Sequence, residues 1–539
     1  MLVAAKGVET PSAAARKAGG AVKWSTLKHN GVAFPPPYEP HNLALTVRGK
    51  KIRLTPKQEE MAWAWAKKKD TPYVKDKVFA SNFLSDFRKV LPPEYSDLKM
   101  EEIDFSDIIR YQEEEKEWKS RPEVKKKLAA ERKKRREGLK ERYGSAEIDG
   151  HRVEVANYMV EPPGIFMGRG KHPLRGRWKP RVYPEDVTLN LGEDAPKPPS
   201  KWSKMVHDHQ SMWLASWVDK LTKKVKYVWL HDSSHIRQQR DKMKYDYAKK
   251  LESKLGRVRM HTRRGMSSKD EKVRKIAAVC YLIDKLCMRV GDEKDEDEAD
   301  TVGASTLRVE HINLTSRTIQ FDFLGKDSVP WSKSISVGDE DSRLFRKNLE
   351  TFMAGKKKGE PVFDGVRSSD ANRFLGRAMK GLTAKVFRTF HATNVTSSYL
   401  LRYSDCKEDS DFLKIYHAKL ANLETAITCN HKRTPPKNWE QSLAKKQERL
   451  EKIKAKTPKT EKAKIRRGEL ILKAKLAIQI AKETRDYNLN TSLRNYIDPR
   501  IYKSWSDYVD LDWRKIYTKT LQRKFSWATR SNIKWPQSR

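Results

Sequence analysis

The chain has four cysteines in 539 residues, at positions 280, 287, 406 and 429. None stands in a Cys-x-x-Cys pair, which leaves neither a zinc site nor a dithiol redox motif and fits a reducing compartment. Cys280 and Cys287 are seven apart, on one face of a predicted helix, and read as core packing. Long apolar runs are missing too. The cleanest, residues 276–283, ends at Asp284, well short of the ~18 residues of a membrane span. Nucleotide-binding loops of the Gly/Lys/Ser type are absent, and the acidic run 292–300 lacks the glycine and spacing of a calcium loop. Acids are also scarce: 71 Asp+Glu against 113 Lys+Arg leave a formal charge of +42. Such an excess favours a polyanionic partner, with nucleic acid first and an anionic membrane second. Only 37% of the residues are hydrophobic, so part of the length is solvated helix or tail. Fifteen tryptophans, many beside basic residues, nonetheless exclude a wholly disordered chain. A chain of this length is expected to hold two to four domains.

Residues 1–21 read as a disordered Ala/Gly-rich tail. Arg16 and the scarcity of acids there suit a mitochondrial presequence, whereas Glu9 and the lack of an amphipathic stripe count against it. Helices are predicted over residues 56–69 and 79–90. Residues 111–142 read as one long solvated helix, whose basic end at 132–136 also suits a nuclear import signal. Gly168-Arg169-Gly170 is a loop that lets a guanidinium approach a surface closely. Helical spacing runs over residues 268–290, placing Arg289 at the helix end before Gly291. Ile319, Phe321 and Phe323 alternate as a half-buried strand, and Gly325-Lys326-Asp327-Ser328 turns it, so Lys326 sits at a hairpin tip. Arg388 falls within helices over 370–400. His431 ends a helix that begins near Asp411. Residues 437–485 carry 16 Lys/Arg against six Glu. They read as an antiparallel helical hairpin, with Leu470, Ala474, Ala477 and Ile478 on one stripe, that brings His431 and Tyr496 back together. Trp505, Trp513, Phe525 and Trp527 give residues 486–539 enough apolar mass to dock.

Near the C-terminus stands Asn495-Tyr496-Ile497-Asp498-Pro499-Arg500. A phenol is a poor nucleophile, with a pKa of about 10 and roughly one molecule in a thousand ionised at pH 7, a deficit on the order of 4 kcal/mol. Cationic donors reduce that deficit and stabilise charge building on a phosphate. Upstream blocks each supply one residue suited to a phosphodiester: Arg289, Lys326, Arg388 and His431. A lone tyrosine is ordinarily structural, and so is a lysine at a hairpin tip; it is the combination in a basic chain that points to phosphodiester chemistry.

With these residues in view, the chain resembles the eukaryotic type IB DNA topoisomerases from about Lys23 to Ala528. The blocks that carry the resemblance stand in the family's order. Among them are Phe34-Pro35-Pro36-Pro37-Tyr38-Glu39-Pro40, residues 161–173, Asp284-Lys285-Leu286-Cys287-Met288-Arg289, Ala299-Asp300-Thr301-Val302-Gly303, residues 321–328 and 381–389, Cys429-Asn430-His431 and residues 495–501. The resemblance implies an α+β, multidomain, two-lobed clamp on double-stranded DNA, monomeric and off the membrane. Residues 22–234 would be the cap lobe, 235–436 the mainly helical catalytic lobe with a β-hairpin, 437–485 the basic linker and 486–539 the tyrosine domain. By the same resemblance Tyr496 attacks the phosphodiester and is joined to the 3′ phosphate. Arg289, Arg388 and His431 hold the non-bridging oxygens, and Lys326 protonates the leaving 5′ oxygen. Arg169, Asp327 and Asn495 border the cleaved step, where camptothecin-type poisons bind. Neither ATP nor a metal is required, although a divalent cation can stimulate, and a nuclear location is expected. Met167 and residues 231–240 depart from the family pattern, and the charged N-terminal tail and linker are short for it. Two other readings carry weight: a tyrosine recombinase-like strand transferase, and a non-enzymatic basic DNA-binding protein.

Overall fold

The computed structural model describes residues 22–168, 170–292 and 301–536, except the Asp327 side chain. The predicted tail, Arg169 and most of the acidic run lie outside the described residues. The chain divides into two compact units, one ending at Arg237 and the other running from Gln238.

The first unit contains β1 (Leu27–His29), β2 (Ala44–Val47), β3 (Lys50–Arg53), α1 (Pro56–Ala66), α2 (Lys77–Arg88), β4 (Ile103–Asp104), α3 (Ser106–Ser120) and α4 (Pro122–Tyr143). Strands β5 (Ser145–Ile148), β6 (His151–Glu154), β7 (Gly164–Ile165), β8 (Trp178–Lys179), β9 (Val187–Asn190), β10 (Lys204–Val206), β11 (Trp213–Val218) and β12 (Val225–Trp229) follow. They form small sheets ordered β1-β5-β6, β3-β2-β4, β10-β9-β11-β12 and β7-β8. In α2, Asp76 caps the helix by accepting from the Val78 and Phe79 amides at 2.9 and 3.1 Å. Phe79, Phe83 and Phe87 recur every four residues and are fully buried, so one stripe fixes the helix on its core. The single helix expected over 111–142 is two helices. Pro122 begins the second, because a proline lacks the N–H that a continuous helix would need and is tolerated in a first turn.

Helix α5 (His235–Met266) begins just before the second unit and continues into it, and α6 (Glu271–Leu286) follows. The antiparallel sheet β13 (Ile312–Leu314), β14 (Thr318–Gly325) and β15 (Val329–Ser336) comes next, in that order. Helices α7 (Glu340–Met353), α8 (Ser368–Ala378), α9 (Ala384–Arg402) and α10 (Asp411–Thr428) complete the main core. The expected hairpin is present: β14 and β15 pair from Thr318↔Ser336 to Gly325↔Val329, with Lys326 in the turn. Ile319, Phe321 and Phe323 face the core.

Helices α11 (Trp439–Lys454) and α12 (Glu461–Glu483) are antiparallel. Trp439 near the start of α11 donates to the Ala481 carbonyl near the end of α12 at 3.1 Å, and Arg467 of α12 donates to Ile453 of α11 at 3.3 Å. Their seam differs from the predicted stripe. Leu470 is 39% exposed, and the half-buried side runs through Arg467, Ile471, Ala474 and Ile478. A 3.6-residue period admits either line, and the guanidinium bond to α11 selects the one through Arg467. Helices α13 (Leu489–Asn495), α14 (Pro499–Tyr508) and α15 (Lys519–Lys524) end the chain. Trp505 and Phe525 are fully buried and pack with Ala392, Leu400 and Ala421 of α9 and α10.

Helix α6 stops earlier than its spacing predicts. Cys287 adopts φ 54°, so Arg289 lies in the loop beyond the helix and does not cap its dipole. That loop is fixed by a backbone crossing. The Ala304 amide donates to the Arg289 carbonyl at 2.8 Å and the Ser305 amide to Val290 at 2.7 Å. A Cβ on Gly303 would lie 2.5 Å from the Gly291 Cα. Gly303→Ala is therefore expected to destabilise the second unit by roughly 1–3 kcal/mol, the usual cost of overpacking. Calorimetry should show a lowered Tm, whereas Gly338→Ala, where a Cβ meets nothing within 4 Å, should leave it within a degree or so of the parent.

Candidate active site

Two helix C-termini meet in the second unit. Helix α6 ends at Leu286 and α10 at Thr428, and the carbonyls in their last turns point at a common space. Such carbonyls have no intrahelical donors and carry partial negative charge. Two cations fill the space. Arg388, from α9 and 4% exposed, donates through Nη1 to the Cys287 carbonyl and through Nη2 to the Cys429 carbonyl, the latter at 2.8 Å. Lys333, from β15, donates to the Leu286 carbonyl at 3.4 Å and to the Thr428 carbonyl. Arg388 is thus a buried cation whose orientation is set by backbone.

The third partner of Arg388 is His431, whose Nε2 lies 3.1 Å from Nη2. A guanidinium only donates, so Nε2 is the acceptor and the imidazole carries its proton on Nδ1. Burial and the cations of Arg388, Arg289 and Lys333 push the His431 pKa down to about 3, so the ring is neutral. On its other edge, Nδ1 donates to Ser492 Oγ at 2.6 Å.

Tyr496 follows the last turn of α13. Its amide donates to the Ser492 carbonyl at 2.9 Å. Its ring lies 5.0 Å from the His431 ring, centroid to centroid, and the Arg388 guanidinium carbon stands 5.1 Å from the phenol ring centre. Burial alone would raise the phenol pKa. The charges of Arg388 and Arg289 outweigh it and bring it below its ordinary value. Burial, and then the charge of Arg388, depress the Arg289 pKa, while Tyr496 opposes the shift. Behind the tyrosine the turn is braced. Lys244 of α5 donates to the Asn495 carbonyl at 3.1 Å, and Thr393 of α9 accepts from the Asp498 amide at 3.2 Å. Asp498 and Arg500 form a bidentate buried pair, and Arg500 continues to Asp246 of α5 at 2.5 Å.

Four of the residues predicted from sequence therefore converge: Arg289, Arg388, His431 and Tyr496. Lys326 stands exposed in its hairpin turn, and no contact joins it to those four among the described residues. Asn495 is exposed, with its side chain donating to the Thr491 carbonyl at 3.2 Å. Arg169 and the Asp327 side chain are outside the described residues. Sequence reasoning missed Ser492, Lys333, Lys244 and Thr393. Of these, Lys333 alone left a signal: it falls on the inward phase of β15, between Trp331 and Ile335, where an apolar residue is expected.

Three family descriptions tile the chain: the DNA-binding fragment of eukaryotic DNA topoisomerase I over residues 22–230, its catalytic core over 233–464, and the C-terminal topoisomerase domain over 468–537. DNA topoisomerase 1 of Homo sapiens is 36% identical over 552 residues, covering 94% of this chain and 71% of that protein. The chain belongs to the eukaryotic DNA topoisomerase I family. DNA topoisomerase 1 beta of Arabidopsis thaliana is 38% identical over 94% of this chain, and DNA topoisomerase 1 of Drosophila melanogaster 36% over 95%. The chain spans 59% and 54% of the lengths of those two relatives. Within the chain the catalytic-core match holds Arg289, Lys326, Arg388 and His431, while Tyr496 falls in the C-terminal match. The two regions meet in the second unit. If Arg388 and Arg289 hold the phenol pKa down, the absorbance titration of the parent minus that of Tyr496→Phe should show a phenol ionising below its free value. The same difference measured in an Arg388→Ala background should shift upward, as the cationic stabilisation is removed while burial stays; an unmoved titration would contradict the assignment.

Proposed function

We propose that the chain is a type IB DNA topoisomerase that relaxes positive and negative supercoils through a transient single-strand break. The carrying observation is the cluster in which Arg388, anchored on two backbone carbonyls, stands over the Tyr496 ring with Arg289 and His431 beside it. In the reaction the Tyr496 oxygen attacks phosphorus and loses its proton to solvent. The bond from phosphorus to the 5′ oxygen breaks, and that oxygen takes a proton from Lys326 at the hairpin tip. The phosphate is left joined to Tyr496 at the 3′ end, and the 5′ hydroxyl reverses the steps after strand rotation. Bond energy is kept in the phosphotyrosine, so neither ATP nor a metal cofactor enters the scheme, and a divalent cation acts only as a stimulant.

A phosphodiester brings one negative charge, which increases in the five-coordinate transition state. The site offers cations for it, and the Arg388 Nε–H is buried without a partner among the described residues, which leaves a donor for an incoming oxygen. The +42 charge suits tracking of double-stranded DNA by a monomer. Arg169, Asp327 and Asn495 would flank the cleaved step and form the camptothecin-type poison site. Residues 22–234 would serve as the cap, 235–436 as the catalytic lobe, 437–485 as the linker and 486–539 as the tyrosine domain. We place the enzyme in the nucleus. No helix among the described residues is long and apolar enough to cross a membrane.

The test is relaxation of negatively and positively supercoiled plasmid by the purified chain in EDTA without ATP. Relaxed circles are expected from the parent. None are expected from Tyr496→Phe, which should still bind duplex DNA with an affinity within a few-fold of the parent. Recombinant junctions in place of relaxed circles would point to a strand transferase. Binding without strand cleavage by the parent would point to a non-enzymatic DNA-binding protein.

A further inference from the structure

Ser492 bonds both His431 and Tyr496. Its side chain is fully buried, its hydroxyl meets His431 Nδ1 at 2.6 Å, and its carbonyl accepts the Tyr496 amide at 2.9 Å. The Asn488 amide, one turn earlier, donates to the His431 carbonyl at 2.7 Å. Helix α13 is thereby tied to His431 through both backbone and ring. This arrangement nevertheless poses a problem for the proposed reaction. To hold a phosphate oxygen, His431 must offer an N–H at Nε2, yet Nε2 here is an acceptor for Arg388. A second proton on the ring would solve this only against strong opposition. The charged groups that face the ring are Arg388 from α9, Arg289 from the loop after α6 and Lys333 from β15, all cationic, and burial adds to them.

A hydroxyl partner removes the difficulty, because it donates as readily as it accepts. We propose that Ser492 is a positioning residue that supports His431 in both neutral tautomers, accepting from Nδ1–H in the free protein and donating to Nδ1 when Nε2–H faces a bound phosphate. This rests on the function proposed above. The change moves the Nδ1 proton to solvent and brings one from solvent onto Nε2. The Ser492 hydroxyl rotates from acceptor to donor, Arg388 keeps its bonds to the Cys287 and Cys429 carbonyls, and the charge on the ring stays zero. A carboxylate at position 492 would lock Nδ1–H and leave Nε2 bare. An apolar residue would leave Nδ1 without a partner in a buried site. Serine is one of the few side chains that serves both states in one place.

The experiment uses the full chain labelled with 15N-histidine, with His431→Gln to assign the resonance and Tyr496→Phe to keep a short duplex uncleaved. Between pH 6 and 8 the free protein should show His431 protonated at Nδ1 and bare at Nε2, and the duplex complex should show the reverse. A ring protonated on both nitrogens in the complex, or unchanged by DNA, would overturn the proposal. In single-turnover cleavage Ser492→Ala should lose roughly ten- to a hundredfold, the cost of leaving the buried His431 Nδ1 without a hydrogen-bond partner. Its DNA affinity should be that of the parent. Ser492→Thr, which keeps the hydroxyl, should recover to within a few-fold. Ser492→Ala cleaving at the parent rate would refute the role while leaving the topoisomerase reading intact. A parent that forms no covalent DNA adduct would remove both.

Discussion

A buried guanidinium cannot be left among apolar side chains; the cost of an unpaired charge there is several kcal/mol. Arg388 is kept in place because two helices end at the same point. The carbonyls of Cys287 and Cys429 accept from it, and Lys333 satisfies the Leu286 and Thr428 carbonyls one residue before each. This pairing of two helix C-termini with two cations organises the rest. It aligns Arg388 over the Tyr496 ring, supplies the field that lowers the phenol pKa and keeps His431 neutral. The positive charge is fixed by the fold itself, so in the proposed reaction it would need little reorganisation as charge develops on a phosphate.

Tyr496 is presented to that field by a short turn rather than by a long element. Pro499 starts α14 directly after Asp498, whose carboxylate accepts from the Arg500 amide at 3.0 Å and so ends the turn. The pairing of Arg500 with Asp498 and Asp246 anchors the turn to α5, and Lys244 and Thr393 hold its backbone from two sides. These bonds join segments that are distant in sequence, since Arg500 and Asp246 are separated by 254 positions. The tyrosine is therefore placed by tertiary structure, and sequence neighbours alone would leave its direction open.

This explains which parts of the molecule were legible beforehand. Elements with a strong period could be read: the helix over residues 79–90, the alternation through Ile319, Phe321 and Phe323, and the hairpin turn at Lys326 follow from local chemistry. The convergence of Arg289, Arg388, His431 and Tyr496 was also legible, because their types and order match a known family, whereas Lys326 stands apart from them. What failed was decided by single local events or by partners far away. Pro122 split a helix that charge density suggested was continuous, and a left-handed Cys287 ended α6 before Arg289. The seam of α12 was set by a bond from Arg467 to α11. Ser492 was invisible for a related reason: nothing near it in sequence says that a histidine 61 positions away will share its hydroxyl.

The proposed role of Arg388 depends on its fixed, multiply bonded fork and not on charge alone. Arg388→Lys keeps the charge but cannot reach both carbonyls, His431 and a phosphate oxygen together. Single-turnover cleavage of a short duplex by Arg388→Lys measures the difference. With Tm and DNA affinity recorded beside it, the account predicts a rate lower by roughly a hundredfold or more, the scale of one lost transition-state donor, and an affinity within a few-fold of the parent. A lysine variant that folds and cleaves at the parent rate would contradict it.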